Sequence, residues 1–119
     1  MNDQVIFQPP LEDDPLPNER GLPVEAAMRK NIPVATGFID YFPAAIAEIA
    51  TLSRIGNDQH NPDKPLHWDR SKSGDESDAL MRHFLERGTM DTDGVRHSTK
   101  VAWRAMALLQ KELEGASNE

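Results

Sequence analysis

The stretch DALMRHFLERGTMDTDGVRHSTKVAWRAMALL, residues 78–109, decides the fold. Apolar residues recur every three or four positions on both sides of a polar Asp-x-Asp-Gly turn, which is the spacing of two amphipathic helices with a short connection. We expect one helix over about Ser77 to Arg87, capped by Asp75 or Ser77, and the next over about Val95 to Leu113. Each helix carries an Arg-His pair, so titratable and basic residues concentrate at their junction.

A further helix is expected earlier, over about Tyr41 to Ile55, with Pro43 in its first turn and Gly56-Asn57 as its stop. A long polar connection follows it. Alternating strand patterns of useful length are absent, so the sequence predicts an all-α bundle of about three main helices. The side chains expected to face inward are Phe42, Ala45, Ile46, Ile49, Ala50 and Ser53, then Leu80, Met81, Phe84 and Leu85, and finally Val101, Ala102, Ala105, Leu108 and Leu109.

The composition divides the chain into an arm at 1–34, a helical domain at 35–114 and a tail at 115–119. Six of the nine prolines lie before residue 35, so the acidic, Pro-rich start is expected to be extended or partly disordered. It is either a loose tail or an arm that wraps a neighbouring subunit. Three short helices bury little apolar surface, and we therefore expect a homo-oligomer.

The overall charge and composition exclude several classes of protein. A net charge of −7 disfavours binding to polymeric nucleic acid, and the lack of cysteine excludes disulfides and thiolate metal sites. No apolar run approaches the length of about 18 residues that a bilayer requires, and no basic, apolar leader is present. We expect a cytoplasmic protein without a membrane partner.

A basic stripe on the last helix is the first candidate for chemistry. His97, Lys100, Arg104 and Lys111 fall near one helical face, and Arg96 stands beside its start. A phosphate group is bound well by ammonium charges, by a guanidinium and by the N–H groups of a helix N-terminus, and this segment offers all three. The alternative is an ordinary solvated face.

Carboxylates form the second candidate group. Asp91 and Asp93 lie in the turn and Glu48 lies at the edge of the first apolar stripe, so these three are the candidate metal ligands. The alternatives are capping by Asp93 and solvent exposure of Asp91. Glu48 and His97 are the candidate catalytic residues, His97 because an imidazole at a helix start can orient a carboxylate or act on a leaving group.

The candidate substrate-binding residues are Arg82, His83, Lys100, Arg104 and Trp68. Trp68 is expected either to stack on a base or to anchor the long connection to the core. The spacing of the four histidines predicts no imidazole metal cluster. If the chain is an enzyme, metal-assisted hydrolysis suits its residues best, since no nucleophile motif is present.

From Asn31 to Glu112 the chain resembles phage and prophage dATP/dGTP diphosphohydrolases, which are similar to the MazG-like all-α nucleotide pyrophosphohydrolases. Several marks occur in the same order and spacing: Pro43, Glu48, Gly56, Trp68, the segment Ala79–His83, Asp91, Gly94, His97 and an Ala-rich helix that ends in Ala-Leu-Leu. The resemblance implies a helical oligomer, Mg²⁺ or Mn²⁺ held by carboxylates, and a water that attacks the α-phosphate of a purine deoxynucleoside triphosphate.

The chain departs from the family pattern at several positions. Ala44 and Ala47 stand where acidic residues are usual, Arg104 replaces an Asn, and Lys100 replaces a frequent His. A site for two metal ions needs more carboxylate ligands than the single one on the first helix. Two alternatives to hydrolysis are therefore a non-catalytic protein that sequesters a nucleotide and a helical adaptor or structural protein.

Overall fold

The computed structural model describes residues 21–117, so residues 1–20 of the arm expected over 1–34 lie outside that range. The chain divides into two compact units between Val34 and Ala35. In the first unit, the described residues contain the short helix α1 (Ala26–Arg29), next to which the Arg29 guanidinium donates a hydrogen bond to the carbonyl of Pro23.

The second unit is a small helical bundle. It contains a π-helical turn (Ala35–Ile39), helix α2 (Pro43–His60), a 3-10 turn (Arg70–Lys72), helix α3 (Glu76–Leu85) and helix α4 (His97–Ser117). Helix α4 packs against both α2 and α3. Over residues 21–117 the one β feature is an isolated bridge between Met90 and Arg96. The expected all-α fold with three main helices is confirmed.

Helix α2 runs past the stop that the sequence suggested. Pro43 begins it as expected, but Gly56 and Asn57 lie inside the helix, and its last residue is His60. Glycine within a helix costs only about 1 kcal/mol relative to alanine, so it does not force an end. The buried Asn57 side chain donates a hydrogen bond to the carbonyl of Lys64, 3.1 Å away, and thereby fastens the following loop to the helix.

The turn between α3 and α4 positions the residues of the junction. The Asp91 N–H donates to the carbonyl of Val95 at 2.8 Å, and the Asp93 carboxylate accepts from the Val95 N–H at 3.0 Å. Gly94 has a φ of 81°, in the left-handed region that glycine adopts without a steric penalty. Helix α4 therefore begins at His97, slightly later than the sequence predicted, and it extends to Ser117, beyond the expected start of the tail.

The buried core is smaller than the sequence patterns suggested. Its buried apolar residues among those described are Ala79 and Ala107, whereas Met81, Phe84 and Leu85 of the expected inner face of α3 are 54%, 42% and 79% exposed. The side of α3 that faces α4 instead carries Glu76, Ala79 and His83. Five more residues that were expected to face inward are exposed: Phe42, Ala45, Ala50, Ala105 and Leu109.

This difference has a physical reason. The Glu76 carboxylate takes charged partners on α4, and those contacts rotate the apolar stripe of α3 toward solvent. Three helices are also too few to enclose every apolar stripe. None of the described helices is long and apolar enough to cross a membrane.

Candidate functional site

Two imidazoles meet where α3, the turn and α4 come together. The Nδ1 atoms of His83 and His97 lie 2.9 Å apart, and the His97 side chain is 7% exposed. On the far side of the ring, His97 Nε2 lies 2.8 Å from a carboxylate oxygen of Glu86. Asp91 Oδ2 lies 4.0 Å from His97 Nδ1, and ligand-type atoms of His83, Asp91 and His97 all fall within 4.8 Å of one another.

Lys100 links the two aspartates of the turn. Its ammonium donates to Asp91 at 2.6 Å and to Asp93 at 2.7 Å. These bonds lower the pKa of Asp91 to about 2, with a further contribution from the Thr92 N–H, and they lower the pKa of Asp93 as well. Burial opposes the charged form of Lys100, but the two carboxylates outweigh it and raise the pKa of Lys100. At neutral pH all three groups are charged.

Glu48 lies on α2 and contacts the start of α4, away from the histidine pair. Its carboxylate accepts a hydrogen bond from Thr99 at 3.0 Å and lies 3.6 Å from the Arg96 guanidinium. It lines a cavity of about 230 Å³ together with Thr51 and Val95. Of the three expected metal ligands, the structure therefore brings Asp91 and Asp93 together through Lys100 and gives Glu48 separate partners.

A larger cavity of about 780 Å³ borders the junction, between α2, the long loop and α4. Six residues matter for its chemistry: Trp68, His83, Asp93, Lys100, Trp103 and Arg104. Its volume falls in the range of about 300–1,000 Å³ that is common for small-molecule sites. The cavity therefore collects five of the expected site residues, whereas Arg82 lies on the exposed side of α3 and pairs with Asp75 at 3.0 Å.

Trp68 is held by its neighbours. The Arg70 guanidinium lies 4.2 Å from the centre of its ring, and the ring packs edge to face against Trp103 at 5.5 Å. Trp103 in turn donates from Nε1 to the Ser53 hydroxyl on α2 at 2.9 Å. These contacts support the anchoring role for Trp68 over the base-stacking role.

Two of the expected phosphate-binding cations are paired with one carboxylate. Arg104 lies 3.3 Å from the Glu76 carboxylate and Lys111 lies 3.0 Å from it, and Ser73 donates to the same group. Burial acts to raise the pKa of Glu76, but the hydrogen bonds from Ser73 and Lys111 and the positive charges of Lys111 and Arg104 outweigh it, so that the pKa is lowered. A phosphate that reaches Arg104 must compete with Glu76.

The sequence patterns missed three features of this junction. Glu76 and Glu86 were not among the expected site residues, because an acidic residue on a helix is usually solvated, and the contact between the two imidazoles was not predicted. The expectation that the histidines form no imidazole metal cluster stays a prediction. His83 and His97 are 14 residues apart, a separation set by the turn and not by helical periodicity. The repeated Arg-His pair was the available clue.

The resemblance implies a divalent cation, and the donor groups at the junction suit one. Two imidazole nitrogens and a carboxylate oxygen from His83, Asp91 and His97 lie within 4.8 Å of one another. Imidazole nitrogens suit later first-row ions such as Fe²⁺, Ni²⁺ and Zn²⁺ best, and Mn²⁺ binds them less strongly, whereas Mg²⁺ is bound mainly through oxygen.

Comparison with known proteins adds the family. A family model described as dATP/dGTP diphosphohydrolase, N-terminal, matches residues 25–119, which include both cavities, the histidine pair and every candidate site residue. Comparison with curated proteins and with solved structures gives no significant match. Because the matched region covers well over half of its length, the chain belongs to the dATP/dGTP diphosphohydrolase N-terminal family.

Proposed function

We propose that the protein hydrolyses a purine deoxynucleoside triphosphate, dGTP or dATP, to the monophosphate and pyrophosphate with the help of a divalent cation. The family suggests the substrate. The observation that carries the proposal is the larger cavity, which has the volume of a small-molecule site and is lined by Lys100 and Arg104 beside the His83–Asp91–His97 cluster.

The charges of the cavity support a triphosphate ligand. Lys100 provides an ammonium that is 16% exposed, and Arg104 provides a guanidinium that is 30% exposed. Both lie on one face of α4, so they can contact successive phosphates of an extended triphosphate. The Lys100 ammonium is shared by Asp91 and Asp93, so a phosphate that binds this ammonium would displace Asp93 from it.

The chemistry follows from the same groups. A bound divalent cation neutralises triphosphate charge and lowers the pKa of a water. Asp91 and the two imidazoles are the groups that would hold the cation, while Lys100 and Arg104 orient the phosphates and stabilise the negative charge that grows on them as water attacks the α-phosphorus. Glu48, which lines the smaller cavity and is held by Thr99 and Arg96, is the proposed base.

The test is a product analysis. Purified protein is incubated with each of the four deoxynucleoside triphosphates in Mn²⁺ or Mg²⁺, and nucleotides are separated by anion exchange. We expect dGMP or dAMP with an equal amount of pyrophosphate, and ¹⁸O from labelled water in the monophosphate. Release of orthophosphate with the diphosphate, or no turnover of any purine nucleotide, would overturn the proposal.

One observation favours a second candidate, a protein that binds and sequesters the nucleotide. Each carboxylate expected at the metal site already has a cationic partner within the described residues: Lys100 for Asp91 and Asp93, and Arg96 for Glu48. A thermal shift separates the two candidates, because a ligand that binds the native state raises the melting temperature whether or not it is cut. Stabilisation by dGTP without pyrophosphate release would select sequestration.

A further inference from the structure

We propose that His83, Asp91 and His97 form a binding site for a single divalent first-row transition ion, with two nitrogen ligands and one oxygen ligand, which discriminates against Mg²⁺. This assignment sharpens the cation site of the proposed function, but it concerns the chain without nucleotide, and its test does not require hydrolysis. It differs from the all-carboxylate site that the sequence and the family resemblance suggest.

The first support is the distance between the donor atoms. The two Nδ1 atoms face each other at 2.9 Å, and the Asp91 oxygen lies 4.0 Å from one of them. Neighbouring ligand atoms around an ion with bonds of about 2.1 Å are separated by about 3 Å or somewhat more. The two nitrogens therefore have the separation of neighbouring ligands, whereas the Asp91 oxygen must move closer to join them. The remaining positions are left for water or phosphate oxygens.

The second support is the environment of His97. Its ring is 7% exposed, and its Nε2 lies 2.8 Å from Glu86 while its Nδ1 faces the cluster. A ligating imidazole in proteins usually gives its other nitrogen to a carboxylate, which fixes the ring and raises its basicity. Glu86 supplies that outer partner.

The third support is that rigid elements hold the ligands. His83 lies in α3, His97 begins α4, and Asp91 is fixed by its bonds to Val95 and Lys100. A simple structural explanation also exists, in which the two imidazoles share one hydrogen bond that clamps α3 to α4. That explanation predicts no bound ion.

Lys100 limits the affinity of the site. Its ammonium lies 2.6 Å from the Asp91 oxygen and repels a second cation nearby. Imidazole nitrogens carry no negative charge to offset this repulsion. Selectivity for ions that bond well to nitrogen therefore follows, because Mg²⁺ gains little from His83 or His97.

The test uses the metal-free protein and Mn²⁺ alone. Calorimetric titration measures stoichiometry, and pulsed electron paramagnetic resonance detects hyperfine coupling between bound Mn²⁺ and imidazole ¹⁴N. We expect one Mn²⁺ per chain, ¹⁴N coupling, and binding of Mg²⁺ weaker by at least about tenfold. Binding without ¹⁴N coupling, equal affinity for Mg²⁺, or no binding would each overturn the proposal.

Variants sharpen the result. His83→Ala and Asp91→Ala should each weaken Mn²⁺ binding by at least about tenfold, while His60→Ala, at the exposed end of α2, should leave it unchanged. Glu48→Gln should also leave it unchanged, which separates this site from an all-carboxylate one. Circular dichroism checks that each variant is folded. If a variant is unfolded, the ¹⁴N coupling in the unmodified protein shows whether imidazole binds the ion. Unaltered affinity in a folded His83→Ala variant would contradict the assignment.

Discussion

Lys100 Nζ lies 2.6 Å from Asp91 Oδ2 and thereby joins the start of α4 to the turn that precedes it. The same ammonium lies 2.7 Å from Asp93, so one lysine neutralises both carboxylates of the turn. A phosphate and a metal ion therefore affect this cluster in opposite ways. A phosphate competes with the aspartates for Lys100, whereas a cation competes with Lys100 for Asp91.

Lys100→Met should separate these two effects. Loss of the ammonium removes a charge-assisted hydrogen bond to phosphate and should weaken dGTP binding by about tenfold, while release of Asp91 should tighten Mn²⁺ binding. Calorimetry measures both affinities, and Lys64→Met in the exposed loop is the matched control. Equal dGTP affinity in the two variants would remove Lys100 from the phosphate site.

Arg104→Met should also weaken dGTP binding by about tenfold, because the guanidinium lines the larger cavity. Arg54→Met is the control: this arginine lies on α2 and pairs with the exposed Asp58 at 3.3 Å. If Arg104→Met binds dGTP as well as the control does, Arg104 serves the ion pair with Glu76 and not the ligand.

Glu76 makes stability depend on pH. Its pKa is lowered in the folded chain, so its ion pairs stabilise the fold above the ordinary carboxylate pKa of 4.5, and that stabilisation is lost as the pH falls through the folded-state value. Glu76→Gln should reduce the free energy of unfolding at pH 7 by about 2 kcal/mol and by much less at pH 3. Urea titrations at the two pH values measure the difference.

Asp58→Asn is the control for that experiment, since its ion pair with Arg54 is exposed and should contribute less than about 1 kcal/mol. An identical loss at pH 7 and pH 3 in the Glu76→Gln variant would show that its charge does not matter.

Asp91→Ala and Glu48→Ala should each abolish metal-dependent turnover and leave the helical circular dichroism signal intact. Asp91 is a proposed ligand of the cation and Glu48 the proposed base, so their effects should differ in Mn²⁺ binding, which only Asp91→Ala is expected to weaken. Turnover of dGTP by each variant is compared with that of Asp58→Ala. A fully active Glu48→Ala variant would exclude Glu48 from the reaction.

The exposed apolar face of α3 predicts self-association. Leu85 is 79% exposed and Met81 is 54% exposed, and burial against a second copy would remove this apolar area from water. Light scattering after size exclusion should give an oligomer for the unmodified chain and a smaller species for Leu85→Lys. Leu66→Lys, in the loop and 66% exposed, is the control. A monomeric unmodified chain would contradict this expectation.

Helical periodicity predicted the three long helices, because an apolar residue every three or four positions is a local property of the sequence. It failed for the inner face of α3, where Glu76 and not Leu85 faces α4, since that choice depends on partners far along the chain. The expected stop at Gly56 was also wrong, because a glycine within a helix does not force the helix to end.

In the candidate site, too, local spacing predicted some features and long-range packing determined the others. Lys100, Arg104 and His83 could be placed near one another from helix spacing and a short turn, and they line one cavity. The contact between His83 and His97 depends on the path of the turn. The packing of α4 gives Glu48 other partners than Asp91 and Asp93 have. Spacing along the sequence does not contain that information.

We expect the cavity beside the histidine cluster to bind and cut a purine deoxynucleoside triphosphate. The most direct test is to incubate the protein with dGTP and Mn²⁺ and to quantify dGMP and pyrophosphate by anion exchange. We predict that the two products appear in equal amounts and that Asp91→Ala forms neither. Intact dGTP after long incubation would contradict cleavage, and the absence of a rise in melting temperature on adding dGTP and Mn²⁺ would contradict binding as well.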